Sequence, residues 1–320
     1  MRNRPDRAGF ALVAVLLLTA VLGLLAAQMA VSTLTDLELS QARARRRRLR
    51  LALDSATDLA RALLATDWAD AAEPDSLHDL WASGPMRVRI REASVTLAVR
   101  DENARISLPH VIASRRPEDE RDLRKKLRHF VREASQVLGP SEEAIRRWIV
   151  EHQFRLGLPE EMAAEPLFEV PAEPAADEEP PGRFLTAWTD GSLNVNTAPR
   201  ECLEFIWGEE ADRFLDALIE RREEEPFRKA QEVFSLPDAS RLLRLPPGVR
   251  LTTHSPVLTL ELEARLGPAR FCRRVVLRRD RPGVPILMRL DVPEVELTGE
   301  VREISPGEFV ESERRDAEDG

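Results

Sequence analysis

Between Gly23 and Pro74 the chain contains neither glycine nor proline, and this absence limits its fold more than any other feature. Nothing in that span interrupts an α-helix. Upstream, a short basic segment, Met1 to Gly9 with Arg2, Arg4 and Arg7, gives way to an apolar run from Phe10 to about Ala30. The economical expectation is one helix over 8–64, rooted in a bilayer and running out into water. About 50 residues at 1.5 Å each make a rod of roughly 75 Å, far longer than an ordinary globular helix.

Past the apolar run the pattern turns amphipathic. Leu49, Leu53, Ala56, Ala60 and Leu63 fall on one face and need a sheet or partner helix to cover them. Arg43, Arg47, Arg50, Asp54, Asp58 and Arg61 lie opposite, with Arg50 and Asp54 spaced as an i,i+4 pair. The basic run Arg43 to Arg50 opposes an orientation with the leader in the cytoplasm, because positive-inside counting favours the denser cluster. The leader is still placed inside, since Arg43 begins more than three turns beyond the apolar run and a large domain follows. The cluster reads as a solvated helix face or as a contact for acidic neighbouring subunits.

Turn signals at Pro74 and Gly84-Pro85 precede two alternating segments, Val88/Ile90 and Val95/Leu97/Val99. They predict an antiparallel hairpin turning near Glu92 to Ser94. Helical patterns follow over 118–138 and 141–154, the first with Leu123, Leu127, Phe130, Val131 and Ala134 inward. The second has Ile145, Trp148 and Ile149 inward and starts on Ser141, a good cap followed by two glutamates. Residues 158–182, rich in Pro, Ala and Glu, read as an acidic linker. Its Asp177-Glu178-Glu179 could hold Ca²⁺, but it lacks regular ligand spacing.

The segment Leu193-Asn194-Val195-Asn196-Thr197-Ala198-Pro199 precedes a small helical unit, with Thr197 or Asn196 as the expected helix cap and Pro199 in the first turn. Strand alternation returns at Leu258, Leu260, Leu262 and Ala264, turns at Gly267-Pro268, runs back over 269–279, and adds a strand over 285–291. These late strands are expected to complete the sheet begun at Val88. Residues 292–320, acidic and punctuated by Pro and Gly, read as a flexible tail.

Chemistry is scarce. No G-x-S-x-G, Gly-rich phosphate loop, H-E-x-x-H or Cys/His metal spacing occurs in the sequence. His78, His110, His129, His152 and His254 are scattered, and the net charge of −9 argues against a general polyanion binder. With 320 residues, 43% of them hydrophobic, the chain can bury a real core. Cys202 and Cys272 are its only cysteines; they read as a disulfide in an oxidising compartment or as two separate buried thiols. The expectation is a non-enzymatic assembly protein with no resident cofactor.

The N-terminus admits three readings: a cleaved secretory signal, a plain membrane anchor, or a prepilin. The apolar run exceeds the usual signal h-region of about 7–15 residues. The order Arg7-Ala8-Gly9 then Phe10-Ala11-Leu12-Val13-Ala14 resembles a type IV prepilin, which implies cleavage by prepilin peptidase between Gly9 and Phe10 and N-methylation of Phe10. Most pilins and pseudopilins carry Glu at the fifth mature position, which is Ala14 here. A carboxylate at bilayer depth is expensive and is kept only when paired; lacking it is characteristic of the K-type minor pseudopilin of type II secretion (general secretion pathway protein K family).

The stretch Asp101 to Leu108, where the helical part begins, and the order Leu193 to Pro199, a helix ending Glu220-Arg221-Arg222, then Pro226-Phe227, resemble the same family. The resemblance covers roughly 9–279. It implies an α+β fold: a pilin-like long N-terminal helix on an antiparallel sheet, with a large helix-hairpin-helix or SAM-like insertion between early and late strands. The expected divisions are leader 1–9, membrane helix 10–30, periplasmic helix and first strands 31–108, helical insertion 109–247, returning strands 248–291 and tail 292–320.

It further implies a single-pass inner-membrane protein with its folded part in the periplasm. Implied partners are the I-type and J-type minor pseudopilins, the G-type major pseudopilin, prepilin peptidase, and the secretin or cargo. Two alternatives remain. One is a minor pilin of a type IV pilus; the other is a membrane-tethered helix-hairpin-helix DNA-binding protein. Against the second, the turn Ile206-Trp207-Gly208-Glu209-Glu210 places two carboxylates where phosphate would sit, so no nucleic-acid partner is expected.

Overall fold

The computed structural model describes residues 7–69, 73–114, 120–156, 180–239, 245, 249–281, 283–295, 297 and 299–303. Helix α1 (Arg7–Ala69) is unbroken over 63 residues. From Leu12 to Arg48 it is exposed, apart from half-buried Arg45. Its apolar part is long enough to cross a bilayer, with a mean hydropathy of 2.4 over the most apolar window.

From Leu49 the helix packs on a sheet. Leu49, Leu53, Ala56, Ala60 and Leu64 are buried there. Leu64 takes the place expected for Leu63, which lies only partly buried at the edge of that core. Three turns at 3.6 residues make 10.8, so the meridian through Leu53 returns at Leu64. Arg50 and Asp54 do not pair with each other. Asp54 receives Arg273 at 2.5 Å and Arg289 at 3.1 Å, while Arg50 lies over the Phe271 ring and 3.8 Å from Asp291. The arginines of the sheet, above all the buried Arg273, outcompete an exposed i,i+4 pair worth only a few tenths of a kcal/mol.

The sheet contains β1 (Met86–Ile90), β2 (Ala93–Asp101), β7 (Val257–Leu266), β8 (Ala269–Arg278), β9 (Ile286–Val292) and β10 (Arg302–Glu303). Its order is β10-β1-β2-β7-β8-β9. Early and late strands therefore share one sheet, joined where β2 and β7 run antiparallel with Leu97 opposite Leu262. The β1–β2 turn falls at Arg91-Glu92, earlier than expected: Ala93 already pairs with Ile90, and Arg91 takes φ 55°. A two-residue loop matches the twist of its strands, which sets the turn there.

Strand alternation places Val95, Leu97, Leu258, Leu260, Leu262, Val275 and Leu277 against α1. The opposite face is polar, and arginines cover its carboxylates. Glu261 and Glu263 are buried, the first under Arg100 and Arg274 and the second under Arg265 and Arg270. The expected tail also enters the fold: Arg302 pairs in parallel with Met86 and donates to the Pro85 carbonyl at 2.9 Å. Residues 304–320 lie outside the described residues.

Between β2 and β7 the chain builds a second core. After β3 (Ile106–Ser107) come α2 (Leu108–Ser114), α3 (Glu120–Leu138), α4 (Glu142–Glu151) and α5 (Gln153–Leu156). Beyond β4 (Leu185–Thr186) and β5 (Ser192–Asn194) lie helices designated α6 (Arg200–Trp207) and α7 (Asp212–Glu224), and then β6 (Arg250–Thr252). Leu127, Phe130, Val131, Ala134, Ile145, Trp148, Ile149, Leu203, Phe214 and Leu218 meet in this core. Ser141 caps α4 by accepting the Ala144 N–H at 3.1 Å.

Most of the expected linker, 157–179, falls outside the described residues, but its end is packed: Pro181–Arg183 forms a 3-10 turn with Gly182 against Trp148. Cys202 belongs to the helical core and Cys272 to β8. Both are buried and free, so the expected alternative of a disulfide is not what forms.

Candidate functional site

The motif Leu193 to Pro199 sits at the seam where the helical body meets the sheet. Leu193, Val195 and Ala198 point into the helical core, which turns the polar residues between them towards the seam. Asn194 gives its side-chain amide to Ser255 Oγ at 2.8 Å and to the Asp75 carbonyl at 3.3 Å. Its own oxygen accepts the Asn196 N–H at 2.9 Å. Asn196 in turn grips Phe227 twice, donating to its carbonyl at 3.0 Å and accepting its N–H at 2.9 Å.

Thr197 donates from Oγ1 to Asp101 Oδ2 at 2.5 Å. This overturns the expected capping role for Thr197 or Asn196. The residue at the cap of α6 is Pro199, without a side-chain cap bond. A lost cap costs about 1 kcal/mol, whereas a buried carboxylate without donors costs more, and the hydroxyl goes to the carboxylate.

Sequence reasoning did not find the partners of this motif. Asp101, at the end of β2, also accepts Ser255 Oγ at 2.5 Å and the Asn103 N–H at 2.7 Å. Asn103 ties the seam both ways, donating to the Ser192 carbonyl at 3.0 Å and accepting the Val257 N–H at 3.2 Å. Glu102 accepts Thr186, Thr259 and Arg105. Arg222 of α7, itself buried, clamps the motif backbone through the carbonyls of Val195 at 2.8 Å and Ala198 at 2.7 Å. The available signal was the run Asp101-Glu102-Asn103 directly after an alternating strand. Read locally, such residues look like an exposed turn.

Burial dominates the electrostatics here. It pushes the Asp101 carboxyl up to about 6, against the pull of its three hydrogen bonds. Asp67, Asp75 and Asp79 are raised as well: desolvation outweighs the attraction of Arg279 at the first two and the hydrogen bonds from Ser76 at the third. The Arg222 guanidinium is lowered by burial. The set of groups can hold two parts of a chain together; it presents no nucleophile paired with a base.

The other candidate positions are distributed elsewhere. Gly9 and Phe10 lie within α1, and Ala14 is exposed on its apolar part. Gly208, in the suspected phosphate turn, has φ 80° and terminates α6. The neighbouring Arg200 is taken up by Glu204, Asp212 and Asp216 at 2.6, 3.2 and 2.5 Å. Among the described residues no three His, Cys, Asp or Glu side chains gather as metal ligands; Asp177 to Glu179 lie outside them. A cleft of about 1060 Å³ separates α4 from the polar face of the sheet, with Arg155 and Pro180 on its rim.

No protein-family model matches the chain, and no curated protein matches it. Among solved structures it is similar to a chain of the GspK-GspI-GspJ complex from the type 2 secretion system of enterotoxigenic Escherichia coli. The TM-score is 0.54 at 16% identity, covering 80% of this chain and 99% of that one. At that identity the likeness shows the fold: a GspK-like pilin architecture with its long helix, sheet and added helices.

Proposed function

We propose that the chain is a K-type minor pseudopilin, a non-enzymatic subunit at the tip of a type II secretion pseudopilus. The observation that carries this reading is the joining of early and late strands into one sheet under α1, with the helical body between them. That arrangement spans 99% of the similar chain from the GspK-GspI-GspJ complex. Prepilin peptidase cleaves between Gly9 and Phe10 and methylates the new amine. The apolar helix then anchors the subunit in the inner membrane, with the sheet and helical body in the periplasm.

Ala14 supports a terminal place. Without a carboxylate at bilayer depth the subunit cannot offer the buried pair that a shaft subunit uses. The helical body broadens the top of the molecule and hinders stacking of a further subunit. Partners are the I-type and J-type minor pseudopilins and the G-type major subunit below, with secretin or cargo above. Co-expression with I-type and J-type subunits from the same genome, followed by co-purification, tests the assignment. A stable ternary complex supports it, and co-purification with pilus subunits instead would transfer the chain to a type IV pilus.

A further inference from the structure

The end of the sheet from which α1 emerges carries a dense positive charge. Six of the eight residues from Arg43 to Arg50 are arginine, and no Asp or Glu occurs between Glu38 and Asp54. Arg48 reaches Glu92 in the β1–β2 turn at 3.0 Å, and Arg46 and Arg50 lie over the Phe271 ring. Ser94 pairs with Arg265, so the β7–β8 turn lies at this same end and adds Arg265 and Arg270. The carboxylates here are already occupied: Glu263 by Arg265 and Arg270, Glu294 by Arg270, and Asp291 by Arg273. Among the described residues Arg43, Arg45 and Arg47 have no acidic partner.

Such a collar opposes itself. Like charges at i,i+3 and i,i+4, as in Arg43 with Arg46 and Arg47, weaken an exposed helix, and residues 43–48 have no packing to offset them beyond a half-buried Arg45. Below the collar α1 presents exposed apolar side chains as far as Leu34, ahead of the first carboxylate at Asp36. Thr33 and Thr35 return their hydroxyls to the carbonyls of Met29 and Val31 at 2.8 and 3.0 Å, which leaves neither donor unpaired in lipid. From Leu34 to Arg43 the helix rises about 13–14 Å, of which a headgroup layer takes about 5–8 Å. Helix side chains lean towards the N-terminus, here towards the bilayer, so long arginine stems bridge the remaining gap.

We propose that the arginine collar is a docking surface for anionic phospholipid headgroups, which hold the sheet at a set height above the bilayer. The proposal rests on α1 crossing a bilayer and not on the assembly that the chain joins, and the collar lies on the sheet's side of the membrane whichever way the helix is inserted. Charge decides the occupant. The chain carries −9 overall, so the collar is a local reversal of sign. Headgroup phosphates accept the guanidinium fork, and attraction to an anionic surface adds arginine by arginine within a Debye length. A second copy of α1 in register would set arginine against arginine.

Hydrogen exchange on the full-length protein in lipid nanodiscs tests the collar. The amides of residues 43–48 should be about tenfold better protected in discs with about a third phosphatidylglycerol than in discs of phosphatidylcholine alone. Adding about 0.5 M NaCl should remove most of that difference, because screening shortens the reach of the charges. Arg43→Gln, Arg45→Gln and Arg47→Gln combined should bring the ratio between the two lipids close to one. The amides of Leu53 and Ala56 should stay equally protected in every sample, which shows that the sheet still holds the helix. A ratio near one in the wild type, a ratio that salt does not lower, or one retained in the triple variant overturns the proposal. Protection gained only when I-type and J-type subunits are added to neutral discs assigns the collar to a protein partner and overturns it equally. Loss of the lipid dependence alone would leave the pseudopilin reading standing, since co-purification does not depend on bilayer charge.

Discussion

Arg279 and Asp75 form an ion pair in the interior, with the guanidinium fully buried and the partners 204 positions apart. The same guanidinium reaches Asp67 near the end of α1, donates to the Ser255 carbonyl at 2.9 Å and lies between the rings of Trp68 and Trp81, 5.0 and 5.6 Å away. One side chain therefore fastens the far end of the rod to the sheet. Arg279→Met strands the buried Asp75 carboxylate and releases the exposed Asp67, and should cost about 3–5 kcal/mol in chemical denaturation. Arg279→Lys keeps the charge but loses the fork and should fall between. A loss below about 1 kcal/mol for Arg279→Met would remove this role.

The contribution of Asp101 to stability should rise as the pH falls from 7 to 5. Asp101 has a folded value of about 6, above the ordinary carboxylate, so the folded state binds more protons than the unfolded state in that window. Its contribution is present below about 4 and is lost as pH climbs through 6, amounting to about 1 kcal/mol between pH 5 and 7. Asp67, Asp75 and Asp79 are shifted in the same direction. Glu263 is shifted the other way: burial raises it, but Arg265 and Arg270 outweigh burial and hold it low, so its contribution disappears only in stronger acid. Melting temperatures of the wild type and of Asp101→Asn measured from pH 4.5 to 7.5 check the sign, the difference between them being opposite to ordinary acid denaturation.

The docked half of α1 should be sensitive to cavities. Leu53 is fully buried against the sheet, and Leu51, two residues before it, is 54% exposed. Leu53→Ala is expected to cost about 2–5 kcal/mol, and Leu51→Ala about 0.5 kcal/mol or less. Limited proteolysis should show the same order, with the Leu53 variant cut first in the sheet. Equal effects of the two substitutions would mean that the helix does not pack on this face.

Both thiols should be free and slow to react. Burial pushes the Cys202 thiol up to about 12 and raises Cys272 too, leaving little thiolate at neutral pH. A maleimide should label neither quickly in the native protein and both after denaturation without reductant. No mass increment under denaturing conditions would indicate a bridge between them.

Processing at the leader has a sharp readout. In cells that carry prepilin peptidase, mature protein should begin at Phe10 with a methylated amine, and a bulky replacement of Gly9 should leave the full-length chain. An N-terminus near Gln28 points instead to signal cleavage, and an unprocessed Met1 to a plain anchor.

The absence of Gly and Pro over 24–73 and the shift from an apolar run to an apolar stripe are local properties. A helix is written in neighbours three and four residues apart, so α1 was legible almost to its ends. Strand alternation likewise exposed β1, β2, β7 and β8, and the Ser141 cap was visible because its partner lies three residues on. The motif Leu193 to Pro199 stood out, but its purpose did not, since its partners Asp101, Arg222, Phe227 and Ser255 are remote in sequence. Local rules assigned Thr197 to a helix cap and Arg50 to Asp54. Tertiary packing gave Thr197 to Asp101 and Asp54 to Arg273, because in a low-dielectric interior an uncompensated charge costs more than a missing cap or an open surface pair gains. Periodicity by itself determined the elements and their faces; only the folded interior decided which polar groups had to satisfy one another.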